Sequence, residues 1–522
     1  MESSLHSFME EISKRLENGE ISDKDDLQRA KAVLSRKYSI DSIPSDVEIL
    51  NYGNFSDEIK SILRIKKTRT VSGVAVVAVM TSPERCPHGK CIYCPGGVEN
   101  NSPQAYTGHE PAALRGRANG YDPYMQVLSR TRQLETIGHD TGKIDLIVMG
   151  GTFTARDYEY QRSFIKGCFD GMNRNVSSAL AESILVNEDS ERKCVGLTIE
   201  TKPDWFMEKE IDSALEFGAT KVELGVQVLN ERILRLNNRG HGVAEIIRST
   251  QLARDAGFKI VYHLMPGMYG SGENDDIESF AKMITDDRFK PDMLKIYPTL
   301  VVKGTSLYKI WKEGKFTPLD SEGAMNLISR FLGMMPPWIR VQRMQRDIPV
   351  KFIEAGVKRS DLRNLAETDL KAKGIRTGEI RTREVGFSKS SSRNYDLRRL
   401  SYSASCGTEH YLTYENDKGE LAGFLRLRVP SEDAHRKEML DSTVVREIKV
   451  LGEVAPVGIH SERFWQHRGI GRLLLEEAEN ISFSEVGVSK MLVISGVGVR
   501  NYFRKLGYEN LGPYMCVDRN MQ

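Results

Sequence analysis

The stretch "RCPHGKCIYCPGG" (residues 85 to 97) places three thiols, Cys86, Cys91 and Cys94, within nine residues. Cysteines packed this densely in a loop are metal ligands by type. A closed tetrahedral zinc site needs a fourth donor. His88 lies awkwardly inside the loop, and His109 carries no spacing signal. Independent structural thiols are the other plain reading, which three cysteines in one Gly/Pro-rich loop argue against. An iron–sulfur cluster held by three cysteines accommodates the spacing and leaves one iron open to a substrate or cofactor. Four-cysteine ligation would close the cluster for electron transfer alone.

A second chemistry is written near the other end. "QHRGIGRLLLEEAE" (Gln466 to Glu479) is a glycine-rich turn opening a helix. The free N–H groups and positive dipole end of such a helix suit a pyrophosphate. Charge is unevenly placed although the net is only +2. Lys60 to Thr70 carries five basic residues and no acidic one, and Lys371 to Arg399 carries nine basic against three acidic. One such run ordinarily solvates an exposed face. Two, flanking the long middle region, point to an anionic polymer, with nucleic acid the first candidate.

Elements must hold these groups in place. The 522 residues, 40% hydrophobic and 28% charged, suffice for two or three globular domains. Residues 1–70 read as a helical, basic N-terminal region. From 71 to 375, β-branched strands alternate with helical stretches: "GVAVVAVM", "KIDLIVMGG", "CVGLTIET", "KVELGVQ", "KIVYHLMPG" and "MLKIYPT". Most meet Gly or Pro at or near one end, as the loops of a parallel barrel do. Residues 376–400 read as a Ser/Arg-rich connector, and 401–522 as a separate α+β unit. "VSGVAVVAVM" is too short to span a bilayer, and the N-terminus lacks an apolar signal core. No membrane association and a cytoplasmic location are therefore expected. Seven cysteines, an odd number, form no disulfide framework.

The cysteine loop resembles that of the radical SAM superfamily, although its C-x4-C-x2-C spacing is one residue longer than the common C-x3-C-x2-C. The resemblance implies a [4Fe-4S] cluster on Cys86, Cys91 and Cys94, with S-adenosylmethionine (SAM) as the ligand of the open iron. "VMGGTF" is similar to the family's glycine motif, so Gly150 and Gly151 are expected at SAM. Glu200 in "TIETKPD" and Gln227 in "ELGVQ" are expected beside it. The C-terminal unit resembles the GNAT acetyltransferases through the pattern Q/R-x-x-G-x-G/A. Gln466, Gly469, Ile470, Gly471 and Arg472 would then meet acetyl-CoA, with Glu447, Ile448, Lys449 and Val450 offering strand backbone to its pantetheine. Tyr502 and Phe503 stand in "NYFRKLGYE", where the GNAT family usually has a Tyr at the Phe503 position. A Phe cannot donate a proton to a leaving thiolate, so ordinary transfer to an amine loses its acid.

The order of both units, with "QAYTGHEP", "NRGH", "KIYPTLVVKGT", "QRDIP", "RTREVG" and "GPYM" between and around them, is similar to the tRNA wobble-uridine acetyltransferases. This is the family of the catalytic subunit of Elongator, here with an archaeal-type stand-alone character. The resemblance spans about residues 71 to 515. It implies that SAM cleavage yields a 5′-deoxyadenosyl radical that takes hydrogen from the acetyl methyl. The carbon radical then adds to C5 of the wobble uridine, and hydrolysis leaves 5-carboxymethyluridine. It also implies that Lys143 contacts acetyl-CoA from the barrel side. The partner is a tRNA anticodon stem-loop, met by Lys66, Lys67, Arg69, Arg381 and Arg383, within a monomer, a homodimer or an Elongator-like complex. His263, Lys295 and Tyr297 read as barrel-lining residues of open role. Cys168, Cys194, Cys406 and Cys516 read as structural, and "RTGEIRTREVG" lacks the cysteines of a linker metal site. Two alternatives stand beside this reading: a protein lysine acetyltransferase with a structural iron–sulfur barrel, and a non-catalytic RNA-binding protein.

Overall fold

The computed structural model describes residues 2–40, 43–63, 73–345, 347–387, 394–452 and 469–519. Four N-terminal helices, Glu2–Glu17, Lys24–Lys37, Asp46–Tyr52 and Asp57–Leu63, bury Phe8, Ile12, Leu27, Leu34 and Ile49 in a small core of their own. Lys66, Lys67 and Arg69 lie outside the described residues.

The middle of the chain is a seven-stranded parallel sheet: β1 (Ala75–Met80), β2 (Lys143–Met149), β3 (Lys193–Thr201), β4 (Lys221–Gln227), β5 (Lys259–Leu264), β6 (Met293–Ile296) and β7 (Arg340–Arg343). Spatial order follows sequence order, and every neighbouring pair is parallel. Parallel neighbours need crossover connections, and helices such as Tyr158–Asn173, Val243–Asp255 and Glu273–Thr285 supply them. The result is a partial barrel. The six strands expected from the sequence are its first six. The seventh escapes a sequence reading because it is four residues, "RVQR", in which only Val341 is buried.

The C-terminal unit is a mixed sheet of β8 (Tyr395–Ala404), β9 (Gly407–Asn416), β10 (Leu421–Val429), β11 (Ser442–Val450), β12 (Lys490–Val493), β13 (Glu509–Leu511) and β14 (Tyr514–Asp518), ordered β8-β9-β10-β11-β12-β14-β13. The Ser/Arg-rich stretch expected as a connector contributes to it. Residues 395 to 400 form the first six of the ten residues of β8, and the turn Ile380–Arg383 seats Ile380 in a buried cluster. The consecutive basic pair Arg398–Arg399 breaks the apolar–polar alternation that would mark that strand in the sequence. Helix Ile470–Asn480 packs on this sheet, continues as a π-turn over Ile481–Val486, and shares a core with Leu425, Val445 and Phe503.

Barrel and C-terminal sheet are joined by buried ion pairs. Arg446 is fully buried; it places Nη1 2.7 Å from Asp292 Oδ2 and Nη2 2.7 Å from both Asp292 Oδ1 and Glu409 Oε2. Arg428 donates to Asp255 at 2.6 and 2.8 Å. Burial opposes the Asp292 charge, yet the Arg446 and Arg426 guanidinia hold its carboxyl well below the usual range. At Gly496 the two units touch through backbone, since a Cβ there would lie 2.2 Å from the Val195 carbonyl oxygen. No described helix is long and apolar enough to cross a membrane.

Candidate functional site

Parallel strands deliver their loops to one end of the barrel, and the cysteine loop follows β1 there. Cys86, Cys91 and Cys94 line a cavity whose empty space, open mouth included, is about 1170 Å³. The same cavity is lined by Gly151, Glu200, Gln227, His263, Lys295 and Tyr297. Burial pushes the Cys86 and Cys94 thiols up, so their ionised form needs cationic compensation, as a metal core would give. A single zinc ion needs its sulfurs close together around Zn–S bonds of ~2.3 Å. Among the described residues, the one group of possible ligands converging within 4.8 Å is Glu200, Glu223 and His263, not the three cysteines. The three thiols are therefore spread wider than the ligands of a single zinc ion. His88 sits with Nε2 3.3 Å from Cys91 Sγ.

The expected SAM residues gather around this cavity. Gly150 (φ +151°) has no room for a side chain: a Cβ would lie 1.8 Å from Thr81 Oγ1. Gly151 (φ +79°) follows, with its Cβ position 3.7 Å from Cys86 Sγ. Gln227 has φ +72°, rare for a residue with a side chain, and its buried Oε1 has no hydrogen-bond partner. A strained backbone presenting an orphaned polar atom to a cavity marks a ligand site. Glu200 accepts a 2.6 Å bond from Tyr106 Oη; burial raises its pKa, against the pull of Lys295. The group Glu200, Glu223 and His263 already holds a cation, because Lys295 contacts Glu223 and lies 3.7 Å from Glu200. His263 Nε2 is 2.8 Å from Glu223 Oε2. Lys295, His263 and Tyr297 thus belong to the site. Tyr106 and Glu223 join the site through partners distant in sequence, Glu200 for the first and His263 and Lys295 of the next two strands for the second.

The second cavity lies at the opposite end of the same strands. Its empty space is about 1980 Å³, walled by Val76, Asp145, Gly196, Lys221, Lys259, Met293 and Arg340 of the barrel and by Glu447, Ile448, Lys449 and Val450 of β11. Strands β11 and β12 pair in parallel only over Ser442–Val445. Beyond that point β11 keeps only its β10 partner, leaving one strand edge facing the cavity. Burial lowers the Lys449 pKa and brings Lys259 down to about 8; Lys221 is paired 3.1 Å from Asp145. Gly469 caps helix Ile470–Asn480 in a left-handed conformation (φ +79°). The position a Gly471 Cβ would take is 3.5 Å from Tyr502 Oη. Tyr502 is 43% exposed, whereas Phe503 is buried and lines the cavity. Arg472 is exposed and pairs with Glu476 at 2.8 Å. Lys143 opens β2 as an exposed residue outside the cavity wall, where Asp145 stands instead. Arg381 lines the cavity, and Arg383 is engaged by Glu415 and the Gly419 carbonyl. Gln466 lies outside the described residues.

The fold and these two sites define a radical SAM barrel joined to a GNAT acetyltransferase domain. Family models agree segment by segment: ELP3 N-terminal domain over residues 5–71, Radical SAM superfamily over 80–284, Radical_SAM C-terminal domain over 291–372 and Acetyltransferase (GNAT) family over 379–508. The tRNA uridine(34) acetyltransferase of Methanocaldococcus jannaschii is 48% identical, with 98% of this chain and 97% of that protein covered. Elongator complex protein 3 of Homo sapiens is 42% identical over 94% of this chain and 92% of that one. The solved archaeal Methanocaldococcus infernus Elp3 with an N-terminal deletion (1–46) superposes with a TM-score of 0.77 at 44% identity, covering 86% of this chain and all of that one. The chain belongs to the family of tRNA uridine(34) acetyltransferases and Elongator complex protein 3.

Proposed function

We propose that this chain is a tRNA uridine(34) acetyltransferase that uses acetyl-CoA and radical SAM chemistry to form 5-carboxymethyluridine at the wobble position. The observation that carries the reading is that two cavities share one barrel bore. The Lys221 end of β4 lines one and the Glu223-to-Gln227 end lines the other. Side chains two residues apart on a strand are separated by roughly 6–7 Å, so about one layer divides the cysteine cavity from the cavity beside β11. An acyl carrier on one side and a hydrogen-abstracting centre on the other would serve a single reaction.

Cys86, Cys91 and Cys94 would hold a [4Fe-4S] cluster, with Gly150, Gly151, Glu200 and Gln227 around SAM. When bound, the pair supplies one-electron, hydrogen-abstracting chemistry that side chains lack. The protein's share is placement. Gly150 and Gly151 keep side chains out of the ligand's way, and the Gln227 amide oxygen waits for a donor. Lys295 and His263 hold the Glu223 carboxylate charged; burial opposes that charge, but the net displacement of its pKa is far downward. The open edge of β11 and the Gly469–Gly471 turn would take pantetheine and pyrophosphate. Lys259 and Lys449 would face the anionic carrier. A wobble uridine would have to leave its stack to reach either cavity, and Arg381, in the lining of the second, would meet its backbone. The anticodon stem-loop is the partner we infer, in a cytoplasmic enzyme acting alone, as a homodimer or in an Elongator-like complex.

Anaerobic incubation with reductant, SAM, acetyl-CoA and unmodified tRNA, followed by nucleoside mass spectrometry, tests this. Carboxymethyluridine is expected, and is expected to vanish in Cys91→Ala and, separately, in a Gly469→Val/Gly471→Val variant. Acetylated peptide lysines formed without SAM, in place of the modified uridine, would favour the protein-acetyltransferase reading.

A further inference from the structure

The segment "NNRGH" (Asn237 to His241) took no role in the reaction above, yet it clamps the cysteine loop. The Asn237 carbonyl accepts from Ile92 N at 3.3 Å, and Asn238 Nδ2 donates to the Lys90 carbonyl at 2.8 Å. Gly240 (φ +73°) lies so close to His88 that a Cβ on it would be 2.4 Å from His88 Cβ. Between them Arg239 sends its guanidinium inward. The residue is only 8% exposed. Its Nε and Nη2 donate to the Gly225 carbonyl at 3.2 and 2.6 Å, and Nη1 points at Cys91 Sγ, 3.7 Å away. Gly225, the glycine of "ELGVQ", makes the space, since a Cβ there would be 2.3 Å from Arg239 Nη2.

A buried guanidinium is costly without an anion to face. The neighbouring cation, Lys202, has one: its Nζ is 3.0 Å from Asp204 Oδ2. Arg239 has no carboxylate partner among the described residues; its guanidinium meets the Gly225 carbonyl oxygen and Cys91 Sγ. The other two cysteines receive neutral donors, Thr152 Oγ1 at 3.4 Å from Cys86 Sγ and Gln104 Nε2 at 3.5 Å from Cys94 Sγ. Among the described residues, Cys91 is the one of the three whose sulfur receives a charged donor. Three thiolates around a dicationic four-iron core leave one net negative charge, and one-electron reduction makes it two.

We propose that Arg239 is the resident counter-ion of the cluster, a positioning residue that acts through Cys91 to stabilise the reduced state. This rests on the cluster assignment above and deepens it. A cation near the thiolates favours the more negative redox state, so it raises the reduction potential. "ELGVQ" and "NRGH" are then two halves of one device, the first making room and the second filling it with charge.

The test uses the full-length chain, anaerobically reconstituted, without SAM or tRNA. The readouts are iron and sulfide content, and a redox titration followed by electron paramagnetic resonance. Arg239→Gln retains a donor for the Gly225 carbonyl and drops the charge. Its reduced-to-oxidised ratio at a fixed poise should fall about tenfold, equivalent to ~59 mV for one electron. A cluster too destabilised to titrate would appear as lost iron in that variant. Arg239→Lys should keep both readouts within about twofold of wild type, because the charge persists. An unchanged ratio in Arg239→Gln, or equal loss of iron in both variants, overturns the proposal and leaves Arg239 a strut for Gly225. A wild-type chain that assembles no four-iron cluster would instead sink the functional reading itself.

Discussion

At the scale of single residues, the site is built from residues held in strained, crowded or buried positions. Gly150 is the sharpest case, since its Cβ would lie 1.8 Å from Thr81 Oγ1. Gly150→Ala is expected to weaken SAM binding about 10- to 100-fold, the equivalent of ~1–3 kcal/mol of overpacking, measured by equilibrium dialysis on the reconstituted protein. Lys259 makes a different prediction. Its pKa is brought down to about 8 from 10.5, with burial as the main cause. Its folded value lies below its unfolded one, so unfolding takes up a proton between those pH values and stability rises with pH across that window. The destabilisation is fully present below about pH 8. Lys259→Met should therefore melt at a higher temperature than wild type at pH 7, with the advantage shrinking by pH 10. The same variant should bind acetyl-CoA more weakly. A melting difference independent of pH would contradict the assigned cause.

At the scale of elements, one local departure from regular pairing makes the second site. Strands β11 and β12 separate after Val445, and helix Ile470–Asn480 begins at the left-handed Gly469, with Gly471 in its first turn beside Tyr502. A branched side chain at Gly471 would intrude on the gap in front of Tyr502. Gly471→Val is expected to raise the dissociation constant for acetyl-CoA at least roughly tenfold, by ~1–3 kcal/mol of steric cost, while leaving the iron content unchanged. Calorimetric titration with CoA beside iron analysis separates the two. Loss of iron along with CoA affinity would mean that the substitution unfolds the unit. The motif "QHRGIG" announces the turn from sequence. Nothing in the strand "VVREIKVLG" announces where it leaves its neighbour, because that depends on β12, forty residues later.

At the scale of the whole molecule, the two chemistries are held in register by charges that neither unit could bury alone. Arg446 of the C-terminal sheet is neutralised by Asp292 of the barrel and by Glu409. Removing one partner of a buried network leaves an uncompensated charge, typically costing ~3–5 kcal/mol. Arg446→Met is thus expected to lower the melting temperature clearly, and to depress uridine modification more than CoA binding or SAM cleavage measured separately. Equal losses in all three assays would mean the pair serves folding alone. The interface is also where sequence reading was weakest. Arg428 and Asp255 are 173 positions apart, and the Ser/Arg-rich connector contributes part of β8 to the sheet.

The sequence by itself determined what chemistry the chain can perform. A three-cysteine loop, a glycine pair after a strand and a glycine turn before a helix are local patterns. Backbone geometry makes each of them legible within a dozen residues, and strand alternation made six of the seven barrel strands legible as well. Tertiary structure alone decided who faces whom. Cys91 meets Arg239 across 148 residues, Glu200 meets Tyr106 across 94, and Glu223 meets Lys295 across 72. Those pairings, like the back-to-back placement of the two cavities, follow from closing parallel strands around a common bore. Which residues share its interior depends on strand register and stagger, and no short stretch of sequence encodes either.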